Sequence, residues 1–186
     1  RLSDITSWTS LITLLAQDNK LTDLPNGFTS LPSLRIVDFT SNDFTKLDEQ
    51  LGLMESLEVF TIAANPLRER KFLTMNTEDL KKDLATRLAP VGQDNHAAQD
   101  ESVDADAVLD PSMSRNKWIL KPMGTLDLSS NGLADLDTTG FSTFVSENDM
   151  RQLILHHNSL DSVPPAVSLA SRLTLLDLSH NNIASI

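Results

Sequence analysis

An α/β fold is predicted, with a curved parallel β-sheet on the concave face and short helices or turns on the convex face. Three features of the 186-residue sequence predict it. First, an eleven-residue phrase, apolar-x-x-apolar-x-apolar-x-x-Asn-x-apolar, occurs six times: at 11–21 (LITLLAQDNKL), 34–44 (LRIVDFTSNDF), 57–67 (LEVFTIAANPL), 123–133 (MGTLDLSSNGL), 150–160 (MRQLILHHNSL) and 173–183 (LTLLDLSHNNI). Second, its asparagines Asn19, Asn42, Asn65, Asn131, Asn158 and Asn181 are separated by steps of 23, 23, 66, 27 and 23 residues. A period in the twenties marks a stacked-repeat architecture. Third, the half-unit after each phrase is variable and often opens with x-x-Leu-Pro or its equivalent, as in Thr22-Asp23-Leu24-Pro25, Thr45-Lys46-Leu47-Asp48 and Asp161-Ser162-Val163-Pro164.

Each phrase contains a short strand with period-two alternation. In the first copy Leu14 and Ala16 point into the core, while Thr13, Leu15 and Gln17 point out. Phrase positions 1, 4, 6 and 11 fill a narrow interior that one unit cannot close alone, so neighbours stack and pair in parallel. At position 9 the chain turns out of the strand and leaves backbone N–H and C=O groups inside the bend. An Asn amide carries both donors and an acceptor, and a column of six can satisfy those groups unit after unit. Proline at the start of the back segment fixes the exit turn. Gly27-Phe28 and Leu51-Gly52-Leu53 then supply apolar residues that cover the core from behind.

The net charge of −11 argues against binding bare nucleic acid or an anionic membrane surface. There is no Cys, hence no disulfide and no thiolate metal site. No Asn-x-Ser/Thr acceptor and no signal peptide is visible, and no apolar run reaches the roughly 18 residues of a membrane helix. These features favour an intracellular, reducing compartment: the cytoplasm, with the nucleus also open. The chain starts at Arg1, and Leu2-x-x-Ile5 reads as the tail of an earlier unit. It stops at Ile186, three residues after the sixth phrase. These ends predict an excised piece of a longer protein.

In chain order, residues 1–69 form a first block: a partial unit, then three phrases. Residues 2–10 read as the convex tail of the preceding unit, with Trp8 packed beneath the first full phrase. Residues 70–90 form a helical segment. Thr77 is the expected N-cap, Glu78 and Asp79 sit in the first turn, and Leu80, Leu84 and Leu88 make one stripe, giving an amphipathic helix over 77–89 that ends near Pro90 and closes off the three repeats. The cluster Arg68-Glu69-Arg70-Lys71 before it reads as a solvated face. Residues 91–117 are an acidic insertion. Between Gln93 and Asp110 it carries Asp94, Asp100, Glu101, Asp104, Asp106 and Asp110 with no Lys or Arg, the composition of a disordered spacer, with Ser102, Ser112 and Ser114 as candidate phosphorylation sites. Residues 118–186 form a second block of three phrases, opened by Trp118-Ile119-Leu120. Its first back segment is four residues longer, and Phe141, Phe144 and Val145 give that segment a helical apolar face. The pattern leaves open whether one sheet continues across the insertion or a second block restarts.

The whole chain resembles intracellular leucine-rich-repeat proteins of the 23-residue class, and the resemblance implies a leucine-rich-repeat solenoid. More narrowly, Asn65-Pro66-Leu67-Arg68, the Leu80/Leu84/Leu88 helix, a polar acidic insertion and the resumed Leu126-Asp127-Leu128-Ser129 are similar to the leucine-rich-repeat-containing protein 40 family, which is interrupted in mid-solenoid in the same way.

Chemical motifs are sparse. There is no phosphate-binding Gly loop, H-E-x-x-H or G-x-S-x-G. Of His96, His156, His157 and His180, His157 and His180 share phrase position 8 in adjacent units and should lie roughly 5 Å apart, with Asp177 near. Two His and a carboxylate can bind a metal, but solvent-facing His at strand ends is the favoured reading. No catalytic, cofactor-binding or metal residue is therefore assigned, and no small-molecule substrate is expected. The outward strand positions are the better candidates. Position 5 reads Leu15, Asp38, Thr61, Asp127, Ile154, Asp177, and position 3 reads Thr13, Ile36, Val59, Thr125, Gln152, Leu175. Aliphatic residues interleaved with Asp suit a protein partner with an aliphatic patch and some Arg or Lys. The partner-binding set is Leu15, Ile36, Asp38, Val59, Thr61, Asp127, Gln152, Ile154, Leu175 and Asp177. The expected function is a non-enzymatic scaffold binding protein on its concave sheet. The alternatives are a regulatory segment of a larger signalling enzyme of the adenylate cyclase, phosphatase or deadenylase type, and a plain structural spacer.

Overall fold

A computed structural model describes residues 5–88, 118–136 and 140–184. The acidic segment with its three serines, His96 and Pro90 lie outside the described residues. Every phrase contributes one three-residue strand at its positions 3–5: β1 Thr13–Leu15, β2 Ile36–Asp38, β3 Val59–Thr61, β4 Thr125–Asp127, β5 Gln152–Ile154 and β6 Leu175–Asp177. The strands form one six-stranded sheet, parallel at each of its five junctions. Register is position-for-position throughout, so Thr13 faces Ile36 on one side and Leu175 on the other.

The strand order is β3-β2-β1-β6-β5-β4. The sheet neither runs on from the third phrase to the fourth nor restarts as a separate block. The C-terminal half stacks ahead of the N-terminal half, and β3 and β4 lie at opposite edges. The β6–β1 junction repeats the bonding of an ordinary one. Where Arg35 and Ile36 donate to the Ile12 carbonyl at the β1–β2 junction, Ile12 and Thr13 donate to the Thr174 carbonyl; where Ala16 donates to Asp38, Leu178 donates to Leu15. Asp18 donates to Thr40, and correspondingly His180 donates to Gln17. The back segment of the sixth unit is supplied by the N-terminus. A 3₁₀ turn at Ile5–Ser7 packs between those at Phe28–Ser30 and Pro165–Leu169, and Trp8 is buried beside it. Of the reading of residues 2–10 as the tail of a preceding unit, the described part, 5–10, packs against the last unit of the same chain, and residues 2–4 lie outside the described residues.

One core runs the length of the stack, made by phrase positions 1, 4, 6 and 11 and by Phe28, Leu51, Phe141, Val145 and Val167 from the back segments. Phe39 sits at its aromatic centre, with ring centroids 5.8 Å from Phe28, 5.2 Å from Phe44 and 6.1 Å from Phe60. Three core expectations fail. Leu88, third of the predicted helical stripe, is 37% exposed, because the helix stops at Arg87 and Leu88 is its C-cap. Leu53 is 64% exposed, because the 3₁₀ segment Glu49–Leu53 turns Leu51 inward instead. Met123, at position 1 of the fourth phrase, is 81% exposed. It lies at the sheet's end in a tight turn with φ of 73°, where Gly124 N–H donates to Lys121 and, among the described residues, no unit stands above it.

Helix α1 spans Thr77–Arg87 and α2 spans Phe141–Glu147. The expected N-cap is corrected: Asn76 caps α1 by accepting from Asp79 N–H, while the Thr77 hydroxyl accepts from Phe60 N–H on β3. Both residue types cap helices well. The unpaired donor on the edge strand decides between them, since an edge N–H without a partner is costly. Thr77 therefore ties the helix to the sheet edge, and Leu80 and Leu84 bury against the core beneath. Gly52 allows the close approach. A Cβ there would stand 2.4 Å from Ala85 N and 2.7 Å from the Lys81 carbonyl, backbone atoms that cannot yield cheaply. Of the basic cluster, Lys71 is drawn into a surface network with Asp83 (2.8 Å), Glu69 and Arg87, and both cations lie over the Phe72 ring. Arg87 holds the Glu69 carboxyl below its ordinary range, and Lys71 does the same for Asp83. At the other edge Trp118 packs edge-on against Phe141 and Phe144.

Candidate functional site

The helical and 3₁₀ segments pack on one side of the core, and outward side chains of six parallel strands form the opposite face. In spatial order from β4 to β3, position 3 reads Thr125, Gln152, Leu175, Thr13, Ile36, Val59. Position 5 reads Asp127, Ile154, Asp177, Leu15, Asp38, Thr61. The true strand order thus turns an irregular column into an alternation, Asp-aliphatic-Asp-aliphatic-Asp. With strands about 4.8 Å apart, the carboxylates recur about every 10 Å. All ten predicted partner-binding residues lie on this face. Ile36 and Val59 are neighbours on adjacent strands and are the most open aliphatic side chains of the two rows, 39% and 45% exposed. Leu15, Ile154 and Leu175 are half-buried.

The three aspartates share a second role that the spacing did not reveal. Each turns one oxygen back to the strand exit: Asp38 accepts from Thr40 N–H at 2.9 Å, Asp127 from Ser129 N–H and hydroxyl, and Asp177 from Ser179 N–H and hydroxyl. Asp-x-Ser/Thr in the phrase was the available signal, an Asx-type turn. Asp127 also receives Lys121 Nζ at 2.9 Å, and Lys121 together with Ser129 holds its carboxyl down to about 2. Sequence reasoning missed Lys121, which reaches the face through an isolated antiparallel bridge to Thr125. It also missed Ile12, 39% exposed at position 2, a nominally polar place.

Next to this face, the asparagines bond along the stack. Asn42 Nδ2 donates to the carbonyls of Ala16 (2.9 Å), Phe39 and Thr40, and its Oδ1 accepts from Leu21 N–H. Asn65, Asn158 and Asn181 repeat this with their own neighbours. Asn19 spans the β6–β1 junction in the same way, donating to the Leu178 carbonyl at 3.0 Å and accepting from Ile183 N–H. Asn131 heads the column, has no unit beyond it among the described residues, and is exposed. The preceding residue is left-handed in all six phrases: Asp18, Ser41, Ala64, Ser130, His157 and His180 have φ of 53–57°. None of them is Gly.

That left-handed row aligns the histidines. His157 and His180 stack with centroids 4.2 Å apart and planes 4° from parallel, and His156 lies edge-on at 5.1 Å from His157. The carboxylate beside His180 is Asp18, 3.3 Å from Nδ1, in place of the expected Asp177. Stacked rings point their nitrogen lone pairs in plane, away from a shared centre. Among the described residues no group of three or more His, Asp or Glu is arranged to hold a metal ion. Among the same residues no helix is long and apolar enough to cross a membrane. No protein-family model matches the chain.

Proposed function

We propose that the chain is a leucine-rich-repeat solenoid that acts as a non-enzymatic interaction scaffold, binding a protein partner on its open sheet face. The observation that carries this reading is the exposed Ile36–Val59 pair beside the alternating Asp and aliphatic row. Apolar side chains on a face that no described segment covers gain nothing from the core, and a contiguous patch rimmed by charge is what a protein contact needs. A sheet held at every junction by strand and Asn bonds is already ordered, so association costs little further entropy. The complementary surface would present aliphatic groups with Lys or Arg about 10 Å apart.

Two variants test this in affinity capture followed by mass spectrometry. Ile36→Glu with Val59→Glu replaces the aliphatic patch. Asp38→Asn with Asp177→Asn removes two charges and keeps a side-chain oxygen for each turn. Selective loss of the same basic-surfaced protein from both variants, with thermal unfolding unchanged, is the expected result. Capture profiles identical to the unmodified chain contradict it.

A further inference from the structure

We propose that the β6–β1 junction also forms between two copies of this chain, giving a domain-swapped dimer in which each N-terminal half pairs with the partner's C-terminal half. The junction joins segments that are far apart in sequence, and its bonds do not depend on which chain supplies them. Its backbone pattern, its Asn19 contacts to Leu178 and Ile183, and the Asp18–His180 pair all lie between the two halves. So does the seating of the Ile5–Ser7 turn beside Pro165–Leu169. The halves are covalently joined only through residues 89–117, between opposite sheet edges. Five strand spacings separate those edges by about 24 Å. A chain of that length can extend on the order of 100 Å, so it can reach a second molecule as well as its own partner half.

At each of the other two sheet ends an edge group is engaged within the chain. At β3, the Thr77 hydroxyl takes the Phe60 N–H and α1 covers the core. At β4, Lys121 N–H occupies the Thr125 carbonyl. Exchange of the two halves keeps every bond of the monomer and creates no new interface. Its equilibrium is set by protein concentration against the effective concentration of the covalently joined halves, on the order of millimolar for linked modules in general.

The full chain has no cysteine, so introduced pairs report cleanly. Thr13 and Leu175 are register partners across the junction. A Thr13→Cys/Leu175→Cys double variant, refolded near 10 µM, should form an intrachain disulfide, and its absence overturns the junction itself. The two single variants, co-refolded near 1 mM, should yield an interchain disulfide and a dimer by light scattering, at least tenfold more than at 10 µM. Mixing the same single variants already folded, at 1 mM, should give little of either. An intrachain bond in the double variant with only monomer after refolding at 1 mM overturns the swap. So does crosslinking of equal yield in the folded mixture, which would mark simple surface association.

Discussion

Replacing Phe39 with Ala is expected to cost about 3–5 kcal/mol in denaturant unfolding. Phe39 is fully buried at position 6 of the second phrase and contacts the rings of Phe28, Phe44 and Phe60. Those rings come from three different units: the back segment of the first, the end of the second and the strand of the third. Removing the central ring therefore opens a cavity that no single unit can collapse into. The loss is comparable to a large share of the roughly 5–15 kcal/mol that holds a typical domain together. A conservative comparison sets the scale. Phe39→Leu retains most of the volume and should cost less than half as much. Equal losses for the two would show that the aromatic cluster is not a packing centre.

Asn42→Leu should destabilise by about 2–4 kcal/mol, and Asn131→Leu by less than about 0.5 kcal/mol. The two asparagines occupy the same phrase position. Asn42 is 4% exposed, donates to three carbonyls and satisfies Leu21 N–H, which is left orphaned in a closed bend when the amide goes. Asn131 heads the column and is exposed, and water replaces its bond to Ser129. Position in the stack, and not residue type, sets the cost. Similar losses at both sites in chemical unfolding would contradict the continuous column.

The phrase made the local architecture legible. Its alternation placed one short strand in each phrase, which the structure bounds at positions 3–5, and its Asn marked the turn that the amide satisfies. The Leu80/Leu84/Leu88 stripe placed α1, although the helix ends at Arg87 and leaves Leu88 exposed, and Phe141, Phe144 and Val145 placed α2. The order of the strands was not legible, for a physical reason. Every junction uses the same side-chain classes in the same register, so Leu14 packs equally well beside Val37 and beside Leu176. The sequence left open a sheet continuing from β3 to β4 or a separate second block, yet Met123 and Gly124 turn at one edge of a single sheet. The cap of α1 was misassigned because Asn76 and Thr77 suit the role equally, and only the edge donor of Phe60 separates them. On the candidate face, the residues were legible and their arrangement was not. The alternation of Asp127, Ile154, Asp177, Leu15 and Asp38 exists only in the folded order. Lys121 gave no signal because it joins the face from outside the repeating phrase.

The most direct measurement is a pulsed-dipolar distance between spin labels on Val59→Cys and Thr125→Cys in the otherwise cysteine-free chain, at low concentration. These are position-3 residues of β3 and β4, the two edge strands. Five strand spacings predict backbone positions about 24 Å apart, with the N-terminal and C-terminal halves joined through β1 and β6 into one open face. A distance below about 15 Å, with β3 beside β4 as adjacent strands, would contradict that order and the alternating face built on it.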